Sequence, residues 1–261
     1  MNENCVLALG FFDGVHLGHG GLLARTREVA GRLGLPAAAL TFDTHPDELV
    51  FGRPVPLINT PADREWLMHT YYGIDRVFSL HFDRETMHQP WREFVLQRVL
   101  GEYHAAHVVC GHDFRFGDRG AGDPEKLAEL CRTESVSCDC IPEIRVDGQT
   151  VSSTLIRRLL AEGEMARAVR FLGHPHLVSG IVSHGSHLGH TLGFPTANLP
   201  FEPEVLVPPH GVYAARAELD GRSYDAVVNI GVHPTAGSLP APVLEANLLD
   251  FHGSIYGRTL H

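Results

Sequence analysis

The pattern of apolar runs changes character once along the chain, near Leu172-Gly173-His174-Pro175, and that change limits the architectures open to it. Upstream, short apolar runs alternate with segments of helical periodicity. CVLALG precedes a stretch in which Leu22, Leu23, Thr26, Val29, Ala30 and Leu33 recur at three and four residues. PAAALTF reads as the next strand, and Thr60-Pro61 opens a helix with a capping hydroxyl and a proline in its first turn. DRVFSL and AHVVCG are strand-like with PWREFVLQRVLGE helical between them, and the helix DPEKLAELCRTE precedes the strand VSCDCIP. Such alternation predicts a parallel sheet covered by helices on both faces, with ligands at the carboxyl ends of the strands. Downstream, LVSGIVSHG, HGVYAARAEL, YDAVVNIG and PVLEANLLDF are strand-like runs separated by Gly, Pro and an Asp220-Gly221 turn. The expected organisation is an α/β domain over residues 1–172 and a small all-β barrel over 176–261.

At 261 residues the chain can bury two modest cores. No stretch approaches the roughly 18 consecutive apolar residues of a membrane span, and MNENCVLALG lacks the basic region and cleavage site of a secretory signal. A cytoplasmic protein without a membrane partner is expected. The cysteines Cys5, Cys110, Cys131, Cys138 and Cys140 are odd in number and include no CxxC pair, so they read as reduced thiols. A formal charge of −10 argues against a nucleic-acid backbone as partner but leaves a nucleotide open, since that needs only a local cluster of donors.

GFFDGVHLGHG, residues 10 to 20, lies where the first strand gives way to the first helix. The first amides of a helix lack partners and its dipole end is positive, so anions bind there. Gly18 removes a side chain that would hold a phosphate away, and His16 and His19, at i and i+3, project on one side and can donate to phosphate oxygens. Asp13-Gly14 supplies the turn. Two ordinary histidines, or a metal site still needing a third and fourth ligand, are the other readings of these residues alone. A second anion site lies in VSSTLIRR, residues 151 to 158: Ser152, Ser153 and Thr154 stand at a helix start, where they also cap, and Arg157 offers a guanidinium fork. Two such sites on one parallel-sheet domain suit a triphosphate. In the second half, Pro195-Thr196-Ala197-Asn198 offers a hydroxyl and an amide oxygen as hard ligands for Mg²⁺, or a turn with its own caps.

ALGFFDGVHLGH, TFDTHP, GHDFRFG and SSTLIR, in this order, resemble the adenylyltransferase module of bacterial bifunctional riboflavin kinase/FAD synthetase, a Rossmann-like nucleotidyltransferase. GFPTANL, GVY, NIGVHPT and EANLLDF resemble the riboflavin kinase module. The resemblance covers essentially the whole chain and implies FAD biosynthesis. AMP passes from ATP to FMN, releasing pyrophosphate, and riboflavin is phosphorylated to FMN. ATP, FMN, riboflavin and FAD are then the small-molecule partners, with Mg²⁺ offsetting charge. On this reading His16 and His19 hold ATP phosphates, and Ser152, Ser153, Thr154 and Arg157 contact the same nucleotide. Gly10, Phe12, Asp13, Gly14, Gly18 and Asp113 complete the ATP and flavin site. The FMN phosphate is already anionic, so no general base is needed there. Gly193 and Pro195 would bind Mg²⁺-ATP in the kinase module, with Thr196 and Asn198 on the metal. Glu245 would be the base toward the ribityl hydroxyl. Phe114 and Phe116 can be core or flavin contacts, and Arg115 a surface charge.

The chain departs from the family pattern at five positions. Phe11 stands where many members have Asn, Leu155 replaces a usual Arg, and His190 and His233 each replace a common Arg. Asn247 occupies a frequent His position. Members usually continue some tens of residues past Tyr256-Gly257, so an incomplete barrel with an open edge is expected. The alternatives are a flavin- or nucleotide-binding protein without turnover, and an HxGH nucleotidyltransferase for another phosphate substrate.

Overall fold

The computed structural model describes residues 3–183, 197–233 and 241–261. Five short strands form one parallel sheet: β1 (Cys5–Leu9), β2 (Ala37–Phe42), β3 (Arg76–Leu80), β4 (Ala105–Gly111) and β5 (Ser137–Ile141). Their order across the sheet is β3-β2-β1-β4-β5, so the direction of winding reverses between β1 and β4. Every residue of β1 is buried, as expected of a central parallel strand covered on both faces. Side chains alternate across such a strand, and the two cores sort accordingly. Cys5, Leu7 and Leu9 join Val108, Cys110, Phe94, Val99, Leu127 and Leu130 on one face, whereas Val6 and Ala8 join Val109, Leu23, Val29, Ala30 and Met68 on the other.

Eight α-helices occur among the described residues. They are α1 (Leu17–Leu33), α2 (Pro46–Phe51), α3 (Pro61–Tyr72), α4 (Arg84–His88), α5 (Trp91–Glu93), α6 (Pro124–Thr133), α7 (Ser153–Ala161) and α8 (Met165–Leu172). Of these, α1 packs on β1, β2 and β4, and α6 packs on β5. Local chemistry sets their ends. Thr60 caps α3 by accepting from the Asp63 amide, with Pro61 in the first turn, and α1 ends on Gly34 in the left-handed conformation. The stretch PWREFVLQRVLGE is helical as its sequence suggests, but α5 runs on as a wider π-helix over Phe94–Glu102. A small hairpin, β6 (Arg145–Val146) and β7 (Gln149–Thr150), precedes α7.

The remaining strands are antiparallel. They are β8 (Gly180–Ile181), β9 (Ala197–Pro200), β10 (Gly211–Leu219), β11 (Arg222–His233), β12 (Ala241–Leu248) and β13 (Thr259–Leu260). The sheet order is β10-β11-β12-β9, and β13 pairs with β8. The expected open edge is corrected here, because the two sheets join at both ends. Glu218 in β10 exchanges both backbone hydrogen bonds with His261, just past β13. Ser183, just past β8, bridges to Asn198 in β9. The described strands therefore close a ring around Val182, Leu199, Leu219, Val228, Ile230, Leu244 and Leu260.

The segment between the two parts is fastened to the loop before α3. The Asn59 amide group donates to the Leu177 carbonyl at 2.8 Å, and the His176 ring nitrogen meets the Ile58 carbonyl at 3.1 Å. Leu57 pairs through its backbone with Glu204 and Leu206, both at 2.8 Å. Trp66 of α3 stacks on His261 at 4.9 Å.

Candidate active site

The crevice outside the carboxyl ends of β1 and β4 is the place where the strand order reverses, and ligands in such sheets bind there. The chain leaves β1 through Gly10–Val15 in a tight path with two non-glycine residues in the left-handed region, Phe12 (φ 58°) and Val15 (φ 40°). Left-handed conformation in a β-branched valine is strained, and strain of this kind persists only where surrounding structure enforces it. Gly14 (φ 80°) cannot be replaced cheaply, since a Cβ there would lie 2.9 Å from the Ile58 side chain.

Asp13 is the enforcing group. Its buried carboxylate accepts from the Ile58 amide at 2.9 Å and from the Asn59 amide at 3.4 Å, and pairs with Arg157 Nη2 of α7 at 3.0 Å. The Ser153 hydroxyl, at the start of α7, donates to the Asp13 carbonyl at 2.9 Å. Ser152 caps α7 by accepting from the Leu155 amide, and Thr154 is exposed. The two expected anion sites, one after β1 and one before α7, are thus joined by direct bonds between residues about 140 positions apart in the chain.

His16 is the N-cap of α1, and its Nδ1 accepts from the His19 amide at 3.3 Å. A neutral ring that accepts at Nδ1 carries its proton on Nε2. The two imidazoles stack at 3.7 Å between centroids and 13° between planes. Gly18 makes room for this pair, since a Cβ there would stand 3.0 Å from the His16 ring. Burial pushes the His16 pKa down to about 3, helped by the nearby His174 and Arg157. Burial also holds His19 well below its ordinary value. Both therefore act as neutral N–H donors near pH 7, and the fixed positive charge comes from arginine. One buried atom of this pair, His19 Nδ1, has no partner among the described residues.

Two residues that the sequence did not single out supply much of the frame. Arg64, from the first turns of α3, is wholly buried and donates to the carbonyls of Phe11 at 2.7 Å and Phe42 at 3.0 Å and to the Thr41 hydroxyl at 3.1 Å. It clamps the carboxyl ends of β1 and β2 together. Nothing in its sequence position signals burial. His45, in TFDTHP, is the N-cap of α2 and lies 3.0 Å from Arg157 through Nε2. A third, His174, is buried with Nε2 3.1 Å from the Gly14 carbonyl, beneath the turn.

The structure places several of the expected site residues in or beneath the crevice wall. Phe12 is fully buried in the core, with its ring against Gly10, so it shapes the loop from beneath. Asp13 and Gly14 likewise face inward. Phe116 is buried and stacks with Phe114 at 5.3 Å, which makes that pair core, and Arg115 is an exposed charge 3.7 Å from Asp123. Asp113 is exposed just beyond β4, on the crevice side of the sheet.

In the barrel, Glu245 of β12 stands opposite Asn229 of β11 and Asn198 of β9, and residues directly opposite share one face. The Asn229 amide group donates to Glu245 Oε2 at 3.3 Å. Asn229 belongs to the NIGVHPT run but was not itself a candidate. Gly193, Pro195 and Thr196 lie outside the described residues.

Comparison with known proteins agrees with this geometry. A family model described as FAD synthetase matches residues 1–155, and one described as riboflavin kinase matches residues 172–261. The chain is 36% identical over 257 residues to the bifunctional riboflavin kinase/FMN adenylyltransferase of Listeria monocytogenes serovar 1/2a, covering 97% of this chain and 81% of that one. It is 35% identical over 260 residues to the protein of that name from Bacillus subtilis strain 168 (98% and 81%), and 34% over 257 residues to that of Escherichia coli K12 (98% and 82%). Among solved structures it resembles a chain named as a macrolide-efflux protein from Streptococcus pneumoniae, with a TM-score of 0.81 and 28% identity. That match covers 100% of this chain and 84% of the other. Among the described residues, no helix is long and apolar enough to cross a membrane.

Proposed function

The chain belongs to the bifunctional riboflavin kinase/FMN adenylyltransferase family, and from that premise we propose how its own residues divide the two reactions. The amino-terminal module, which we place at residues 1–172, transfers AMP from ATP to FMN. A phosphate oxygen of FMN attacks the α-phosphorus, the bond to the β-phosphate oxygen breaks, and FAD and pyrophosphate leave. The attacking oxygen carries no proton at neutral pH, so the protein supplies alignment and charge neutralisation. The convergence of His16, His19 and Arg157 on one crevice, locked by Asp13, is the observation that carries this reading. The histidines donate through neutral N–H groups, Arg157 brings full charge, and Gly18 lets His16 keep its place. Ser152, Ser153 and Asp13 hold the second helix start against the first. Asp113 and Thr154, exposed at the same end of the sheet, are the polar groups available to the metal-bound phosphates.

The carboxyl-terminal module, placed at 176–261, phosphorylates riboflavin. An alcohol nucleophile does benefit from a base. Glu245 takes the proton of the ribityl hydroxyl as its oxygen attacks the γ-phosphorus and ADP leaves, and Asn229 orients the carboxylate. The Asn198 amide oxygen, opposite Glu245 in the sheet, is a hard donor that fits Mg²⁺, with substrate phosphates completing the shell and Glu245 left free as the base. Asn198 and Thr196 would hold the ion, which would supply positive charge against the polyphosphate. Five free thiols support a cytoplasmic location.

The test is the fate of label. With FMN, ATP labelled at the α-phosphate should give labelled FAD and unlabelled pyrophosphate in equal amounts. With riboflavin, label from the γ-phosphate should enter FMN. Binding of both flavins and ATP without either transfer would leave a non-catalytic binding protein instead.

A further inference from the structure

Four side chains form a continuous row across the crevice. The Arg64 guanidinium lies 4.6 Å over the Phe11 ring, Phe11 meets the His45 ring edge-on at 4.7 Å, and His45 Nε2 lies 3.0 Å from Arg157 Nη2. The last contact has an unusual hydrogen count. His45 Nδ1 accepts from the Asp47 amide at 3.2 Å, so the single proton of its neutral ring belongs on Nε2. Arg157 is donor-only, and its Nη2 points at that same Nε2. Two N–H groups therefore face each other with no acceptor between them. Moving the ring proton to Nδ1 only transfers the conflict to the Asp47 amide. Protonating the ring would add charge beside Arg157, and burial together with Arg157 already holds His45 below its ordinary pKa. Arg157 Nε is also buried without a partner among the described residues, and one hydrogen of Nη2 goes to Asp13 Oδ2 at 3.0 Å, which leaves the other directed at His45.

The His45 Nε2–H and the second Nη2 hydrogen of Arg157, which converge without an acceptor among the described residues, are what an incoming anionic oxygen would satisfy. We propose that His45 Nε2–H and Arg157 together form a seat for one phosphate group of a bound substrate, with Phe11 propping the imidazole from behind. This deepens the reading of the crevice as an adenylyl-transfer site and rests on it. It also gives a role to Phe11, whose aromatic ring is a departure of this chain. Arg64 holds that ring from the other side, so the row is braced at both ends.

The informative variant is His45→Asn. Asparagine is a strong N-cap, so the Asp47 amide keeps an acceptor and α2 keeps its start, while the donor at Nε2 is lost. Titration calorimetry on the full chain, with an unreactive ATP analogue bridged at the α–β position plus Mg²⁺ in one arm and FMN in the other, reports which phosphate uses the seat. The expected result is a loss of affinity of about tenfold to a hundredfold in one arm, the scale of a hydrogen bond to a charged group, with the melting midpoint unchanged. In the unsubstituted chain, the ¹⁵N resonance of His45 Nε2 should move on addition of that same ligand. Unchanged affinity in both arms, with an unmoved resonance, would overturn the seat while leaving adenylyl transfer standing. If the unsubstituted chain bound neither ligand, both the seat and the reading beneath it would fall.

Discussion

Arg157 Nη2 and Asp13 Oδ2 are 3.0 Å apart, and this one contact holds the turn after β1 against the start of α7. Asp13 is completely buried and also accepts from the amides of Ile58 and Asn59. Removing one member of a buried, hydrogen-bonded pair leaves uncompensated polar groups. Asp13→Ala should cost about 3–5 kcal/mol in urea unfolding. It should also abolish adenylyl transfer even where the variant stays folded, because Arg157 loses its anchor.

Gly18→Ala separates fit from stability. Alanine is the better helix former by roughly 1 kcal/mol, so the melting midpoint should hold or rise. A Cβ at 3.0 Å from His16 must nonetheless displace a ring that is pinned against His19. At least a tenfold fall in kcat/KM for FAD formation is expected, without a stability loss.

Acid should destabilise the protein earlier than its carboxylates alone would require. His16, with a pKa of about 3, and His19, His45, His174 and His176, all lowered by burial, are held neutral by the fold. The unfolded chain binds more protons at these positions once the pH drops below about 6.5, so folded stability falls as pH falls. The contribution is fully present above pH 6.5 and is lost progressively toward pH 3. Urea midpoints measured at pH 7.5, 6.0 and 5.0 should decline steadily, each fully responding histidine adding up to about 1.4 kcal/mol per pH unit.

His174→Ala tests the link between the two parts. The ring sits beneath the Asp13-Gly14 turn and meets the Gly14 carbonyl. Leaving that buried carbonyl without its partner should cost about 1–3 kcal/mol. FAD formation from FMN should fall more than riboflavin phosphorylation, measured on the same preparation.

The architecture was legible because apolar runs and helical periodicity differ sharply on either side of residue 172. CVLALG, PAAALTF, DRVFSL, AHVVCG and VSCDCIP are all strands of the parallel sheet. Strand order was not legible, since nothing local encodes which strand neighbours which. Nor was closure of the barrel, which depends on Glu218 meeting His261 and Ser183 meeting Asn198. Within the site, the His16, His19 and Arg157 signals stood out because glycine spacing and helix starts mark them. Arg64 and His45 did not, because their roles come from tertiary burial, and an arginine or a His-Pro pair looks like any surface helix start. The inward placement of Phe12 and Asp13 was not legible either, since it follows from the positive φ and full burial of Phe12 and from the buried amides of Ile58 and Asn59 that Asp13 satisfies.

In the proposed division the two reactions take place at separate centres, one around His16, His19 and Arg157 and one at Glu245. The most direct measurement is made on Glu245→Gln, incubated with Mg²⁺-ATP and either FMN or riboflavin, with products resolved by chromatography. The expected result is FAD from FMN at the unsubstituted rate and no FMN or FAD from riboflavin. Loss of FAD formation from FMN in a folded variant, or undiminished product from riboflavin, would contradict that division.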